Sequence, residues 1–103
     1  MSNMNQMLRQ AQALQRKLAK AQEELATMEV TGSSGGGMVS AVVTGGGKFR
    51  SITINPEAVD PDDVEMLQDM VLAACNEALR KSKELEQEHL GDVTGGLGLP
   101  PGF

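Results

Sequence analysis

The chain has 103 residues, enough for one domain, and its only large aromatic residues are Phe49 and Phe103. Fourteen acids against nine Lys and Arg give a net charge of −5, which taken globally argues against a nucleic-acid binder. The single cysteine, Cys75, excludes a disulfide framework, and no apolar leader or apolar run of about 18 residues is present, so a cytosolic, soluble protein without a membrane partner is expected. Without Trp or Tyr, the core must be built from Met, Leu, Val, Ile and Ala. A chain this short buries at best roughly two-thirds of its unfolded surface, so association is expected to bury more.

Residues 3–28 predict one long helix, free of Gly and Pro. Met4, Ala11, Leu18 and Leu25 fall at heptad position a, and Met7, Leu14, Ala21 and Met28 at position d, a seam that must be covered by something. Glu29 to Gly32 is strand-like, and Ser33 to Gly37 is a loop. Met38 to Thr44 alternates with Val39, Ala41 and Val43 on one face, Gly45-Gly46-Gly47 predicts a hairpin turn, and Phe49 to Ile54 is the return strand. Asn55-Pro56-Glu57 ends that strand. Asp60 is the expected N-cap of a second helix, with Pro61 at its first position, running to about Leu90. Its stripe is Val64, Leu67, Val71, Ala74, Ala78 and Leu85, widened by Met70, Cys75 and Leu79. Residues 91–103, with five Gly and two Pro, predict an irregular tail after a single domain over 1–90. The fold class is α+β, an α-β-β-β-α subunit with a three-stranded antiparallel sheet. Three strands leave exposed edges, so two copies are expected to join through their sheets.

No pattern points to catalysis. Gly45-Gly46-Gly47-Lys48 is followed by Phe49 and joins two strands, whereas a P-loop leads into a helix. A calcium loop starting at Asp60 needs Gly at its sixth and Glu at its twelfth position, where this chain has Glu65 and Val71. His89 lacks a second ligand nearby and is expected at the surface, and Cys75 sits in an apolar stretch that suits packing rather than nucleophilic duty. No enzyme activity, cofactor or metal is expected.

Charge is unevenly distributed. The first 22 residues hold Arg9, Arg16, Lys17 and Lys20 and no acid. Arg9 and Arg16 share heptad position f, and Lys20 follows Arg16 by four residues, so these three lie opposite the seam. Arg80, Lys81 and Lys83 form a weaker group interleaved with Glu77, Glu84, Glu86 and Glu88, and Lys48 and Arg50 add charge near the hairpin. Such runs are ordinarily solvated faces. If they bind nucleic acid, the absence of aromatic residues on the helices favours phosphate contacts to duplex DNA over base stacking.

Several stretches in order carry a resemblance: Met7-Leu8-Arg9-Gln10-Ala11-Gln12, Ala21-Gln22-Glu23-Glu24-Leu25, Val30-Thr31-Gly32 with Gly35-Gly36-Gly37, Ile52-Thr53-Ile54-Asn55-Pro56, Glu65-Met66-Leu67-Gln68-Asp69, Asn76-Glu77-Ala78, and the tail Gly98-Leu99-Pro100-Pro101-Gly102-Phe103. Together they span essentially the whole chain, which resembles the YbaB/EbfC family of bacterial nucleoid-associated proteins. Asn55 departs from the Asp that family members commonly carry before Pro. The resemblance implies a homodimer with sheets joined at the centre and helices projecting as arms that contact DNA. It points to Arg9, Arg16, Lys17 and Lys20, then to Arg80, Lys81 and Lys83, and to a nucleoid-associated role in the cytoplasm, in nucleoid organisation or gene regulation. The alternative is an adaptor that binds a repair, replication or targeting protein.

Overall fold

The computed structural model describes residues 2–95. Helix α1 spans Ser2–Thr27, strands β1, β2 and β3 span Glu29–Ser34, Val39–Thr44 and Phe49–Ile54, and helix α2 spans Val64–Gly95. The α-β-β-β-α order expected from the sequence is the one observed. The strands form one antiparallel sheet in the order β1-β2-β3.

Register fixes the faces. Val39, Ala41 and Val43 of β2 are fully buried on one face. Their partners there are Ser34, Gly32 and Val30 of β1 and Ile54, Ile52 and Phe49 of β3. Helix α2 lies across β1 and β2 on this face, with Ala74 and Ala78 against the strands. The approach is close because Gly32 lacks a side chain: a Cβ there would overlap the backbone of Ala74 and Ala78. The hairpin between β2 and β3 turns at Gly47, whose φ of 86° suits glycine. It is tied to α2 by the Ser82 hydroxyl, which donates to the Thr44 carbonyl at 2.7 Å.

A register shift between Val42 and Val43 leaves Arg50 as the extra residue of a bulge on β3. Its guanidinium reaches back to the Ala26 carbonyl at 3.4 Å and to the Glu29 carboxylate at 3.8 Å, tying β3 to the foot of α1.

Three sequence expectations change. Helix α2 begins three residues later than expected. Asp60 and Pro61 open a turn in which the Asp63 N–H donates to the Asp60 carbonyl and the Asp62 N–H to its carboxylate. Asp then Pro is the favoured start of such a turn, and Asp63 becomes the cap, accepting the Met66 N–H at 3.1 Å. Helix α2 also continues past Leu90 through Gly91 to Gly95. The remaining tail, residues 96–103, lies outside the described residues.

The third change concerns the seam. Helices α1 and α2 pack within one chain, antiparallel, with His89 beside Glu24 and with Asp92 and Val93 beside Lys17, Lys20 and Ala21. Only the half of α1 nearer the sheet is covered. Ala21 and Leu25 are buried and Leu14, Leu18 and Met28 half-buried, whereas Met4, Met7 and Ala11 are exposed. Val64, expected in the stripe of α2, is exposed as well, at the first position of that helix.

Candidate nucleic-acid interface

Helix α1 projects from the sheet as an arm, and its residues 3–12 are all exposed. Arg9, Arg16, Lys17 and Lys20 are all exposed on it. Among the described residues, no carboxylate comes within ion-pairing distance of any of the four. Its first turn also carries no acid, so the positive end of the helix dipole is not offset. Arg9 lies seven residues from Arg16 and Arg16 four from Lys20, which sets the three about 10 Å and about 6 Å apart along the axis at 1.5 Å per residue. The helix therefore carries a row of exposed cations without an ionic partner among the described residues, of which Arg9 and Arg16 lie on the side away from the seam.

Lys17 and Lys20 sit nearer the second helix than the two arginines do. With Ala21, Glu24, Asp92 and Val93 they line a shallow cleft between the helices, so part of their field falls on the acids opposite.

The second predicted group is not equivalent to the first. Arg80 is held by Glu84 at 2.7 Å. Lys81 pairs with Glu77 at 3.2 Å and donates to the Thr31 carbonyl of β1 at 3.0 Å. The Glu77 carboxyl is held below its ordinary value of 4.5, first by the hydrogen bond from Lys81. Of this group only Lys83 is exposed and unpaired among the described residues. Nor do the groups converge. Lys81 is anchored at the sheet, whereas Arg9 lies 18 residues up α1 from Thr27, about 27 Å at 1.5 Å per residue. Lys48 is exposed at the hairpin and Arg50 is engaged structurally.

His89 is not the surface residue the sequence suggested. Its side chain is 20% exposed, and its Nε2 lies 3.0 Å from the Glu24 carboxylate, close but not aligned as a hydrogen bond. Helix α1 covers it, a contact 65 positions away in sequence that no local pattern reveals. Cys75 is half-buried, lining an apolar groove with Leu67, Gln68, Val71 and Leu72.

That groove is the feature sequence reasoning missed. At 3.6 residues per turn, Met70, Glu77 and Lys81 form one flank of α2, and contacts with Ser34 and Thr31 turn that flank toward β1. Leu72, Cys75 and Leu79 form the opposite flank, toward β3. Among the described residues no helix covers β3, and every residue of the strand is exposed, including Phe49 at 41% and Ile52 at 47%. A continuous apolar face results, beside an open strand edge. The available signal was the unusual width of the α2 stripe, which exceeds what three strands under one helix can cover.

Among the described residues no group of three His, Cys, Asp or Glu could hold a metal ion, and no described helix is long and apolar enough to cross a membrane.

Comparison with known proteins agrees with this geometry. A crystal structure of an uncharacterized protein from Helicobacter pylori has the same fold, with a TM-score of 0.75 over 92% of this chain and 97% of that one, at 22% identity. A nucleoid-associated protein of Saccharopolyspora erythraea is 54% identical over 96 residues, covering 93% of this chain and 83% of the relative. One from Acetivibrio thermocellus is 53% identical over 101 residues, covering 98% and 89%, and one from Rhodospirillum rubrum is 47% identical over 103 residues, covering 100% and 96%. The sequence profile of the YbaB/EbfC DNA-binding family matches residues 1–97, which include the whole of the arm, the sheet and the second helix. With half its residues shared with several nucleoid-associated proteins, the chain belongs to the YbaB/EbfC DNA-binding family.

Proposed function

We propose that this protein is a homodimer that binds duplex DNA in the bacterial nucleoid, mainly through phosphate contacts made by its α1 arms, and so contributes to nucleoid organisation or gene regulation. The observation that carries this reading is the acid-free stretch of α1, where Arg9, Arg16, Lys17 and Lys20 are exposed without an ionic partner among the described residues. Cations not already paired are the ones that can displace counterions from DNA. Lys83 is the further candidate on α2. Arg80 and Lys81 contribute less, because each gives up a carboxylate before it can meet a phosphate. The dispersed surface acids confine contact to the arms.

The dimer is supported by the uncovered β3. Two copies paired antiparallel along this strand would merge their sheets and bury Phe49, Ile52, Ile54 and the flank of α2 carrying Leu72 and Leu79. Burying such surface stabilises by about 25 cal/mol per Å2. Both arms would then rise from one central sheet, and their separation would set the register on DNA.

The test is affinity for an unrelated set of duplexes of about 30 base pairs as a function of salt, where the log–log slope reports roughly 0.9 per phosphate engaged. A slope near −4 or steeper, similar across sequences, is the expected result. No binding even at low salt would refute the reading and favour an adaptor that binds a protein partner.

A further inference from the structure

The apolar stripe of α1 runs past its cover. Leu25, Ala21, Leu18 and Leu14 are wholly or partly buried, and the same heptad positions continue outward through Ala11, Met7 and Met4, with Leu8 alongside. That outer stretch is open among the described residues: Met4 is 77%, Met7 67% and Leu8 59% exposed. The heptad positions that flank it, e and g, hold Asn3, Leu8, Gln10 and Gln15, none of them charged. Arg9 and Arg16 stand at position f, on the far side of the helix, and the next g residue, Lys17, lies beyond Leu14. A strongly charged partner would therefore gain no ion pair at this face, and a second copy of the chain would meet no like charge across it.

The stripe is also complementary to itself. In two α1 helices laid antiparallel about a midpoint at Arg9, each residue faces the one equally far beyond Arg9 in the other helix. Met4 then meets Leu14 of the second copy, Met7 meets Ala11, Ala11 meets Met7 and Leu14 meets Met4. The steps of three, four and three residues read alike in both directions, so all four layers fall at once. Each central layer sets a methionine against an alanine, a large side chain against a small one. Charge favours the same direction. Helix α2 already packs antiparallel on the inner stripe, with His89 beside Glu24 and Asp92 and Val93 beside Lys20 and Ala21. The second copy's α1 would run the same way as α2 further along the arm, so its N-terminal end would face the C-terminal end of α2. These ends are of opposite sign and neither is offset, since α1 has no acid in its first turn and α2 no base in its last. A parallel pair would instead set two positive ends side by side. Three exposed side chains and an alanine fall short of the about 800 Å2 per partner of a stable interface, so one such contact is weak and gains strength where copies are held close together.

We propose that the stripe from Met4 to Leu14 is an arm-to-arm contact surface, which docks antiparallel on the same stripe of a second copy outside the β3-paired dimer. Arg9 and Arg16 of the two helices then point outward on opposite sides of the pair. Where those cations meet phosphates, paired arms link two duplexes. That linking role rests on the DNA-binding reading, whereas the contact itself does not.

The test is sedimentation velocity of the full chain, without DNA, over a concentration series. The basal mass, one chain or two, reports on β3, and its doubling at high concentration reports on the arms. Doubling is expected in the parent and should be lost in Met4→Gln with Met7→Gln, which keeps side-chain length and helix propensity at exposed positions. Register is read by mild oxidation of mixed proteins, each carrying Cys75→Ser. Met7→Cys with Ala11→Cys should cross-link at least about tenfold faster than Arg9→Cys with itself, because a disulfide forms only between adjacent backbones and position f faces outward. With DNA, capture of a second duplex by one held on beads should fall to background in the glutamine variant, while its affinity for a single duplex stays that of the parent. No doubling in the parent, doubling that the glutamine pair leaves intact, or equal cross-linking at Arg9 would overturn the contact. Cross-links confined to the basal particle would overturn it too, by making the arms of one dimer the partners. Second-duplex capture unchanged in the glutamine variant would overturn the linking role alone.

Discussion

Neutralising two arginines should cut the salt dependence of DNA binding by half. In Arg9→Ala with Arg16→Ala, each arm loses two of the four cations that have no ionic partner among the described residues, Arg9, Arg16, Lys17 and Lys20. If both arms of a dimer engage fully, the slope of log K against log salt is about −7 in the unaltered protein and about −3.6 in the variant, at roughly 0.9 per phosphate. Between 50 and 200 mM salt, affinity should then fall roughly 10^4-fold for the first and roughly 10^2-fold for the second. The fold should be indifferent, because both side chains are exposed and off the seam, where substitutions change stability by within about 0.5 kcal/mol. Fluorescence anisotropy across a salt series measures the slopes, and circular dichroism checks the fold. Arg80→Ala is the control. It removes a cation already held by Glu84 at 2.7 Å, so its slope should match the parent. A folded double variant with the parent slope, or a steeper loss in Arg80→Ala, would refute the reasoning that unpaired cations carry the contact.

Four further outcomes follow from packing and charge. Gly32→Ala drives a methyl into the backbone of Ala74 and Ala78, and urea denaturation should show a loss of about 3 kcal/mol or more. Ile52→Lys places a charge on the open face of β3, and light scattering should report the proposed dimer for the parent and a monomer for the variant; a dimer in the variant would reject β3 as the interface. Gly91→Ala adds a methyl that meets no described atom within 4 Å outside its own helix backbone, in the interior of α2, and thermal unfolding should show a gain of about 0.5–1 kcal/mol. The Glu77 carboxyl is depressed by Lys81, so its stabilising contribution is present above the unfolded value and lost as pH falls through the folded one. Stability should therefore decline on acidification below about 4.5, and Glu77→Gln should flatten that decline.

Much of the molecule is written in local patterns. The seven-residue repeat from Met4 to Met28 specified a helix, the alternation from Val39 to Val43 a strand with one buried face, and the glycines after Thr44 a hairpin. The acid-free run to Gln22 marked the basic arm, and the i, i+4 spacing of Glu77 with Lys81 and of Arg80 with Glu84 lay open to inspection. Periodicity states which residues share a face because it depends only on the twist of the backbone. It does not state how much of that face a partner covers. That Leu25 is buried while Met4, at an identical heptad position, is exposed depends on where α2 ends against α1. That Ile52 and Ile54 share the face of Ala41 and Val39 yet stay open depends on α2 crossing only the first two strands. The choice of Asp63 over Asp60 as cap was settled by a turn that used Asp60 first, and the approach of His89 to Glu24 by the antiparallel helices. The sequence by itself determined the elements, their faces and the sign of their charge, since these follow from neighbours along the chain. Only the tertiary structure decided which faces are covered and which cations are free, because both depend on segments that meet across tens of residues.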